Sequence, residues 1–513
     1  MLVHGFLERS ARVRPDQIAL VHGSEAVTFG EIEAGANRIA RLLVARGFAR
    51  GDRVGLLAEN SRLYVESFFG ILKAGCIVVP LNTALDAGAL GETLRDCDPR
   101  GLIAGSRFAG TASSALRGSS GGAKALFVPR AEDVAAGGPD AGPLEELVAA
   151  HDGGSPPPIP VRDVDGAAII YTSGSTGRPK GAVLRHASIV ANTESIVTYL
   201  ELGHDDRMLV VLPFFYVYGQ SLLTTHVAVG GRLIIENRFL FPSSALDTLE
   251  REGATGFAGV PSTFAILLHK TNFAHRAMPS LRYVTQAGGP MSPSLTRRLI
   301  EALPEKKIFV MYGATEASAR LAYLPPDALA THVGSIGRAI PGVELRVLRK
   351  DGSEAAVDEV GEIVARGANI MEGYWGDPEE TARVLDANGY HTGDLARRDR
   401  EGYFWIVGRE RSMIKSGAHR ISPKEIEEQI LEHPDLIEAA VVGVPDELLG
   451  EAIAAYVVAR PGTRVDVRDI EMFARERLPA YKVPRDIILR DELPKSSTGK
   501  VLIIALRGSS GSS

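Results

Sequence analysis

The chain has 513 residues, of which 45% are hydrophobic and 23% are charged, so it can bury substantial cores and form several structural units. Its formal net charge of −6 argues against a nucleic-acid or membrane-surface protein, because those classes usually carry a basic excess. No apolar run is long enough to span a bilayer, the amino terminus does not resemble a signal peptide, and neither cysteine belongs to a metal-binding pattern, so we expect a cytoplasmic protein.

The first part of the chain, residues 27–100, alternates strand and helix patterns. Apolar segments at 54–58 and 76–80 indicate strands, and the amphipathic stretch 64–73 between them indicates a helix. This βαβ order predicts a mainly parallel sheet covered by helices. Residues 105–160 are rich in Gly, Ala, Ser and Pro, which predicts loops and short elements rather than catalytic core.

The most informative segment follows the apolar run 167–170 and reads Tyr171-Thr-Ser-Gly-Ser-Thr-Gly-Arg-Pro-Lys180-Gly. A strand that ends in such a loop directs backbone N–H groups, hydroxyl groups and one lysine to a single place, which favours a polyphosphate ligand. It is not a Walker A motif, because Lys180 follows Pro179 and precedes Gly181. The segment by itself leaves a kinase, an ATPase, a ligase and a flexible polar loop open.

Strand and helix patterns alternate again over residues 208–310, with strands predicted at 208–212, 232–235, 256–260 and 308–311. Each ends near a glycine or proline, where open α/β sheets tend to bind ligands. The last strand leads into Met311-Tyr-Gly-Ala-Thr-Glu-Ala317. This segment could stack a base, bind a phosphate oxygen and hold Mg²⁺, although a turn that caps a helix is equally compatible.

Short strands and turns follow from Val343 onward. In Gly389-Tyr-His-Thr-Gly-Asp394, an aspartate on a glycine-flanked turn can accept both hydroxyl groups of a ribose, with an Asx-type turn as the alternative. After Arg409 the pattern becomes helix, strand, strand, helix and strand, at 423–432, 439–444, 452–458, 467–478 and 486–489. This order predicts a small α+β unit, and Lys500 follows a Ser/Gly loop near its end.

Taken together and in this order, these segments resemble the adenylate-forming superfamily, in particular its AMP-dependent acyl-CoA synthetases and ligases. Further matching segments are Gln286-Ala-Gly-Gly-Pro-Met, Gly334-Ser-Ile-Gly-Arg, Gly408-Arg-Glu-Arg, Ser416-Gly-Ala-His-Arg and Leu493-Pro-Lys-Ser-Ser-Thr-Gly-Lys. The resemblance covers nearly the whole chain, and each motif is weak alone but specific in this order.

The resemblance implies an α/β fold with two domains. The large N-terminal domain, residues 1–408, would consist of mainly parallel sheets packed with helices plus a β-rich subdomain. A hinge at 409–413 would join it to a small, mobile α+β C-terminal lid at 414–507. Residues 508–513 would be a disordered tail.

The resemblance also implies the activity of an AMP-forming carboxylate–CoA ligase, which is an acid–thiol ligase. A fatty or aryl carboxylic acid would attack the α-phosphorus of ATP with release of pyrophosphate, and the thiol of coenzyme A would then displace AMP. The implied cofactors are ATP, Mg²⁺ and coenzyme A, and we also allow for a homodimer. Two alternatives stay open: an enzyme that loads the phosphopantetheine of an acyl carrier protein, and a non-catalytic nucleotide-binding regulatory protein.

The resemblance assigns roles to individual residues. Catalytic roles fall on Lys500, which would bridge the substrate carboxylate and the α-phosphate, on Thr315 at the α-phosphate and on Glu316 as the Mg²⁺ ligand. The nucleotide would be bound by Thr172, Ser173, Gly174, Ser175, Thr176, Gly177 and Lys180 at the phosphates, Gly288, Gly289, Pro290, Tyr312 and Gly313 at the adenine, and Asp394 and Arg409 at the ribose. Phe215, Tyr216, Tyr218 and Val260 would line the acyl pocket, Arg411 would be the hinge residue, and Ser416, Gly417 and Ala418 would approach the coenzyme A tunnel.

Two positions depart from the pattern of many relatives. Ser412 follows the hinge residue where many relatives carry an acidic residue, which can alter the preferred lid position. Tyr216 stands where many acyl-CoA synthetases have a histidine, near the entrance of the acyl pocket. The second departure leaves the substrate class open, while the aromatic residues around it indicate an apolar acid.

Overall fold

The computed structural model describes residues 1–117, 125–134, 141–172, 179–416, 419–446, 449–495 and 501–507. Its strands are β1 (Ile18–His22), β2 (Glu25–Thr28), β3 (Arg53–Leu57), β4 (Ile77–Pro80), β5 (Gly101–Ala104), β6 (Ala125–Val128), β7 (Ala141–Pro143), β8 (Gly166–Thr172), β9 (Lys180–Arg185), β10 (Arg207–Val210), β11 (Arg232–Ile235), β12 (Gly256–Gly259), β13 (Tyr283–Gln286), β14 (Lys307–Tyr312), β15 (Ala322–Leu324), β16 (Arg338–Ala339), β17 (Val343–Leu348), β18 (Gly361–Gly367), β19 (Gly373–Tyr374), β20 (Leu385–Asp386), β21 (Gly389–Arg398), β22 (Phe404–Arg409), β23 (Ile414–Ser416), β24 (His419–Ile421), β25 (Leu436–Asp446), β26 (Gly450–Ala459) and β27 (Asp486–Arg490).

Its α-helices are α1 (His4–Val13), α2 (Phe29–Ala45), α3 (Arg62–Lys73), α4 (Ala87–Cys97), α5 (Ala109–Arg117), α6 (Ala131–Val134), α7 (Leu144–Ala149), α8 (His186–Leu200), α9 (Val217–Val229), α10 (Pro242–Arg251), α11 (Pro261–Lys270), α12 (Pro293–Ala302), α13 (Pro378–Val384), α14 (Pro423–Ile430), α15 (Val467–Arg477) and α16 (Ile503–Arg507). None of these described helices is long and apolar enough to span a membrane. Local sequence signals fix several of their starts. At α2, for example, Thr28 and Glu31 form a reciprocal capping box.

The first sheet has eight strands in the order β19-β9-β8-β4-β3-β5-β6-β7. Strands β3 to β7 pair in parallel with their neighbours, and β8 and β9 form an antiparallel hairpin. The predicted strand–helix–strand series of residues 54–80 is confirmed as β3, α3 and β4. The region 105–160 contains the expected short elements, but two of them, β6 and β7, also extend this sheet at its edge.

The second sheet has nine strands in the order β16-β15-β14-β13-β12-β10-β11-β1-β2. The four strands predicted over residues 208–311 are confirmed as β10, β11, β12 and β14, and they pair in parallel within this sheet. The largest apolar core joins residues of both sheets with helices α2, α3, α8 and α9. Among its members, Tyr64, Phe68 and Phe69 of α3 are fully buried.

Two smaller sheets complete the fold. Strands β17, β18, β21, β20 and β22 form one, and β24, β23, β26, β25 and β27 form the other. The predicted helix–strand–strand–helix–strand order after Arg409 is confirmed as α14, β25, β26, α15 and β27, with the hairpin β23–β24 in front of it. Two apolar clusters of this last unit contain only residues between Ile414 and Leu506, so it has a core of its own.

Candidate active site

The ligand-binding region predicted from the sequence lies at the carboxyl ends of three neighbouring parallel strands. Val260 follows β12, Gly288 follows β13, and Tyr312 ends β14. Since β12, β13 and β14 are adjacent and parallel, their ends meet at one edge of the sheet. The structure therefore brings together residues predicted to contact adenine with one predicted to line the acyl pocket.

The loop after β13 is held in a conformation that requires glycine. Gly288 has a φ of +83°, and a Cβ atom there would lie 3.1 Å from Cγ1 of Val260 and 4.0 Å from Cδ1 of Tyr218. The side-chain amide of Gln286 donates to the carbonyl of Gly289, 2.8 Å away. Gly288 therefore lies against Val260 and near the Tyr218 ring of α9, and Gly289 lies next to Pro261 at the start of α11.

The predicted phosphate loop connects the two strands of the β8–β9 hairpin. Thr172 and Lys180 stand opposite each other at its end, where the Thr172 hydroxyl donates to the Lys180 carbonyl at 3.4 Å. The expected strand before the loop is thereby confirmed as β8. Ser173, Gly174, Ser175, Thr176 and Gly177 lie outside the described residues, so their roles stay predictions.

Lys180 has an anionic partner from a distant part of the chain. Its Nζ lies 2.5 Å from Oε1 of Glu380, and the two side chains are only 13% and 9% exposed. The hydrogen bond from Lys180 lowers the pKa of the Glu380 carboxyl below its usual value, so this carboxyl stays ionised. Lys180 Nζ also lies 5.5 Å from the centre of the Tyr374 ring.

The same tyrosine reaches the predicted metal ligand. Thr315 and Glu316 lie in a single 3₁₀ turn, Thr315–Ala317, directly after β14. The Tyr374 hydroxyl donates to Oε1 of Glu316 at 2.7 Å, and the backbone N–H of Met371 donates to the Glu316 carbonyl at 2.7 Å. The segment 371–380 thus holds both the lysine of the phosphate loop and the carboxylate predicted to bind Mg²⁺.

Sequence reasoning missed Tyr374 and Glu380. Glu380 belongs to the first turn of α13, where Asp377 caps the helix and acidic residues are common because they favour the positive end of the helix dipole. Nothing in this local pattern distinguishes a buried partner of Lys180 from an exposed acid such as Glu379. Glu380 comes close to Lys180 because β19 pairs with β9, where Tyr374 lies opposite Ala182. The local sequence does not signal this pairing.

Exchanging Glu380 for glutamine tests whether the ion pair of Lys180 and Glu380 contributes to ATP binding. The Glu380→Gln variant keeps a hydrogen-bond acceptor but removes the charge that fixes Lys180, so we expect the KM for ATP to rise about tenfold, or ~1.4 kcal/mol. Glu379→Gln, at the exposed neighbouring position, is the matched control and should behave as the parent. Steady-state kinetics with unchanged KM values in both variants would contradict a positioning role for Glu380.

The predicted ribose-binding residues form a connected group. Asp394 and Arg409 are direct cross-strand partners in β21 and β22. Arg409 Nε donates to Oδ1 of Asp394 at 2.7 Å, and the Tyr312 hydroxyl donates to Oδ2 at 2.6 Å. These two donors hold both oxygens of the Asp394 carboxylate in place, and the residue is only 5% exposed.

The charges in this group act on each other. Burial and then the neighbouring Asp394 carboxylate raise the pKa of Tyr312 well above its usual range, so its hydroxyl remains a donor. Attraction to Asp394 raises the pKa of Arg409, which therefore stays charged. One ring, one carboxylate and one guanidinium are thus fixed next to the end of β14, with lone pairs of Asp394 still able to accept further hydroxyl groups.

The predicted acyl-pocket residues cluster at the start of α9. Tyr216 immediately precedes the helix, and its ring lies 4.4 Å from that of Phe215. The Asn82 side chain donates to the Tyr216 hydroxyl at 3.2 Å. Tyr218 is buried, and its hydroxyl hydrogen-bonds to Thr285 of β13. Together with Val260, these side chains form a mainly aromatic surface beside the strand ends.

The remaining predicted residues lie in or beyond β22. Arg411 is in the 3₁₀ turn Glu410–Ser412 that follows Arg409, and Ser416 ends β23 and is buried. Gly417, Ala418 and Lys500 lie outside the described residues, as do residues 508–513. Hydrogen bonds join the small unit to β22. The Ser422 hydroxyl donates to the Val407 carbonyl at 2.5 Å, and Lys424 Nζ donates to the Ile406 carbonyl at 2.8 Å.

Comparison with known proteins identifies the family of this arrangement. Residues 7–375 match the family described as AMP-binding enzyme, and residues 425–500 match its C-terminal domain. The chain is 34% identical over 495 residues to a feruloyl-CoA synthase from Amycolatopsis sp., an alignment that covers 96% of each chain.

Solved structures agree with the sequence comparison. The anthranilate CoA ligase AuaEII in complex with anthranoyl-AMP superposes with a TM-score of 0.90 at 28% identity, covering 99% of this chain and 97% of that one. ATP-bound MatB from Rhodopseudomonas palustris superposes with a TM-score of 0.88 at 28% identity, covering 99% of both chains. The large domain of α/β sheets and the smaller C-terminal domain expected from the sequence are confirmed by this likeness.

Proposed function

The chain belongs to the AMP-binding enzyme family and is an AMP-forming acyl-CoA synthetase, and from this premise we propose that its substrate is an aryl or fatty carboxylic acid. The observation that carries this proposal is the aromatic surface of Phe215 and Tyr218, which are 5% and 7% exposed, beside Val260. Apolar side chains favour an apolar acyl group through the surface it removes from water. Ferulate and anthranilate, the acids named for two similar proteins, are both aromatic.

We infer that the described residues prepare the site for the first half-reaction, in which a carboxylate attacks the α-phosphorus of ATP. Two anions must approach each other, so positive charge and fixed donors have to reduce their repulsion. Lys180, held by Glu380, would face the β- and γ-phosphates and retain the leaving pyrophosphate. Tyr312 would stack on the adenine, and Asp394 with Arg409 would hold the ribose hydroxyl groups.

Glu316 fits a role as the protein ligand of Mg²⁺. Magnesium bound to nucleotides takes one or two protein carboxylates and completes its shell with phosphate oxygens and water. In the described part of the chain no three His, Cys, Asp or Glu residues form a cluster that could hold a metal. When bound, the ion would neutralise phosphate charge, and Tyr374 would orient the Glu316 carboxylate toward it.

We propose that the small C-terminal unit acts as a lid that turns about residues 409–413. Its separate core allows it to move as a body, and Arg409 couples the start of the connector to Asp394 in the nucleotide site. Lys500 would reach the reacting atoms in one lid position. In the other, the segment from Ser416 to Ala418 would approach the pantetheine arm of coenzyme A.

A panel of acids tests the proposed substrate class. Pyrophosphate release should require ATP, Mg²⁺ and an aryl or fatty acid, since the aromatic surface at α9 discriminates by apolar contact. Amino acids matched in size should give no release above the rate without acid, because a charged ammonium group would be buried there without a partner. Faster release with amino acids than with their deaminated counterparts would refute the proposed class.

A further inference from the structure

Arg320 is a buried cation beside the acyl pocket. It is only 2% exposed, and its guanidinium carbon lies 4.1 Å from the centre of the Tyr218 ring. A Cβ atom on Gly288 would lie 4.0 Å from Cδ1 of Tyr218 and 3.1 Å from Cγ1 of Val260, so the Tyr218 ring links the guanidinium to the loop after β13. Arginine has five N–H donors and stays charged at any ordinary pH, so its burial demands partners.

The partners that the structure gives to Arg320 are all neutral. Its Nε donates to Sδ of Met311 at 3.4 Å, and its Nη1 donates to the carbonyl of Ala319 at 3.1 Å. Its other polar neighbours include the hydroxyl groups of Tyr199 and Tyr218. Among the described residues, no carboxylate lies within ion-pair distance of Arg320. Since buried charges are normally paired, a counter-ion from outside the protein is the natural complement.

The backbone fixes Arg320 at this place at some cost in energy. Ser318 and Ala319 both have positive φ angles, of 55° and 123°, which are strained for residues other than glycine. This turn folds back onto Gly313, where a Cβ atom would lie 1.9 Å from the Ala319 carbonyl oxygen. Strained turns persist where the surrounding structure enforces them, and they concentrate at functional sites.

Two buried asparagine side chains also hold the backbone of Arg320 in place. The side chains of Asn192 and Asn369 both donate to the Arg320 carbonyl, each at 2.9 Å. Tyr199 donates to the same Met311 sulfur that accepts from Arg320. The backbone of Arg320 is therefore held by α8 and by the segment after β18, and its guanidinium contacts Met311 of β14 and the Tyr218 ring. It is not a mobile surface charge.

We propose that Arg320 forms an anion-binding subsite at the floor of the acyl pocket, and that the substrate is an acid whose acyl part carries a second anionic oxygen group. This inference rests on the proposed function, because it adds a recognition element to the same pocket. The acyl group would lie on the aromatic surface of Phe215 and Tyr218. Its distal carboxylate or sulfonate would pair with Arg320 through charge-assisted hydrogen bonds, which are stronger when desolvated.

Pairs of nearly isosteric acids test this subsite. Terephthalate is compared with 4-methylbenzoate, and adipate with hexanoate, by measuring kcat/KM for acid-dependent pyrophosphate release. The parent enzyme should prefer the dianionic member of at least one pair by tenfold or more. Arg320→Met, which keeps an unbranched side chain without the charge, should lower kcat/KM for that acid about 100-fold and leave its methyl counterpart nearly unchanged, since only the dianionic acid loses a charged hydrogen-bonded partner.

Arg320→Lys is the second variant, and it should recover part of the preference because it retains the charge without the planar fork. Thermal unfolding of each variant shows whether a loss arises from misfolding. A parent enzyme that uses only the mono-acids, or an Arg320→Met variant that loses both members of a pair equally, would overturn the subsite while leaving the proposed function intact. Absence of pyrophosphate release with every acid would overturn the proposed function and this inference together.

Discussion

Replacing Lys500 with alanine is expected to lower the rate of acyl-adenylate formation about 10²- to 10³-fold, the usual cost of losing one preorganised donor at a reacting oxyanion. The physical reason is that the lysine would bridge two anions, the substrate carboxylate and the α-phosphate, at the moment when their repulsion is greatest. Thioester formation from supplied acyl-adenylate should be nearly unchanged, because the lid would have moved Lys500 away. Rapid-quench measurement of the two half-reactions separates these effects.

A neighbouring lysine provides the matched control. Lys495 lies in the same segment, and its Nζ pairs with Glu438 within the C-terminal unit at 2.6 Å. Lys495→Ala should therefore affect both half-reactions little, since a partly exposed ion pair of this kind contributes ~0–1 kcal/mol. Equal losses in the two half-reactions of Lys500→Ala, or an equally slow first half-reaction in Lys495→Ala, would contradict the role assigned to Lys500.

Replacing Asp394 with asparagine is expected to raise the KM for ATP about 10²-fold, because an unsatisfied buried polar group and a lost charged hydrogen bond together cost ~1–3 kcal/mol. The carboxylate accepts from both Tyr312 and Arg409, and an amide at the same place must turn its NH₂ group toward one of these donors. Arg409 and the Tyr312 ring would both lose their fixed positions.

Tyr312→Phe separates the two contributions. It removes one donor to Asp394 but keeps the ring that would stack on adenine, so its effect on the KM for ATP should be less than tenfold. Calorimetry without any acid present measures the Kd for ATP directly, and this Kd should rise more in Asp394→Asn than in Tyr312→Phe. If Asp394→Asn bound ATP as tightly as Tyr312→Phe, the carboxylate would not be the main anchor of the ribose.

The strands that position the site could be predicted from the sequence because their apolar runs are continuous and end at glycine or proline. Strands β4, β10 and β12 are examples, and each was expected within one or two residues of its bounds. Strands β6 and β7, the last two of the first sheet, are not predicted as part of a sheet. Their short segments lie in a Gly- and Ala-rich region where neither period nor length distinguishes a strand from a loop.

The position of candidate site residues was predictable where one motif puts several of them at a strand end, as at Tyr312 and Glu316. It was not predictable where a residue acts through a partner far away in sequence. Glu380 reaches Lys180 across 200 positions, and Arg320, which follows a strained turn, reaches the ring of Tyr218 in α9. Contacts of this kind depend on tertiary packing, which local propensity does not encode.

We propose that this chain joins an aryl or fatty acid to coenzyme A through an acyl-adenylate. Mass spectrometry of a reaction with ATP, Mg²⁺, coenzyme A and a panel of such acids measures this directly. We expect at least one acid to give acyl-CoA together with equal amounts of AMP and pyrophosphate, and no product when ATP or coenzyme A is omitted. ATP binding without acyl-CoA from any acid, or transfer of the acyl group to a phosphopantetheinylated carrier protein in preference to coenzyme A, would contradict it.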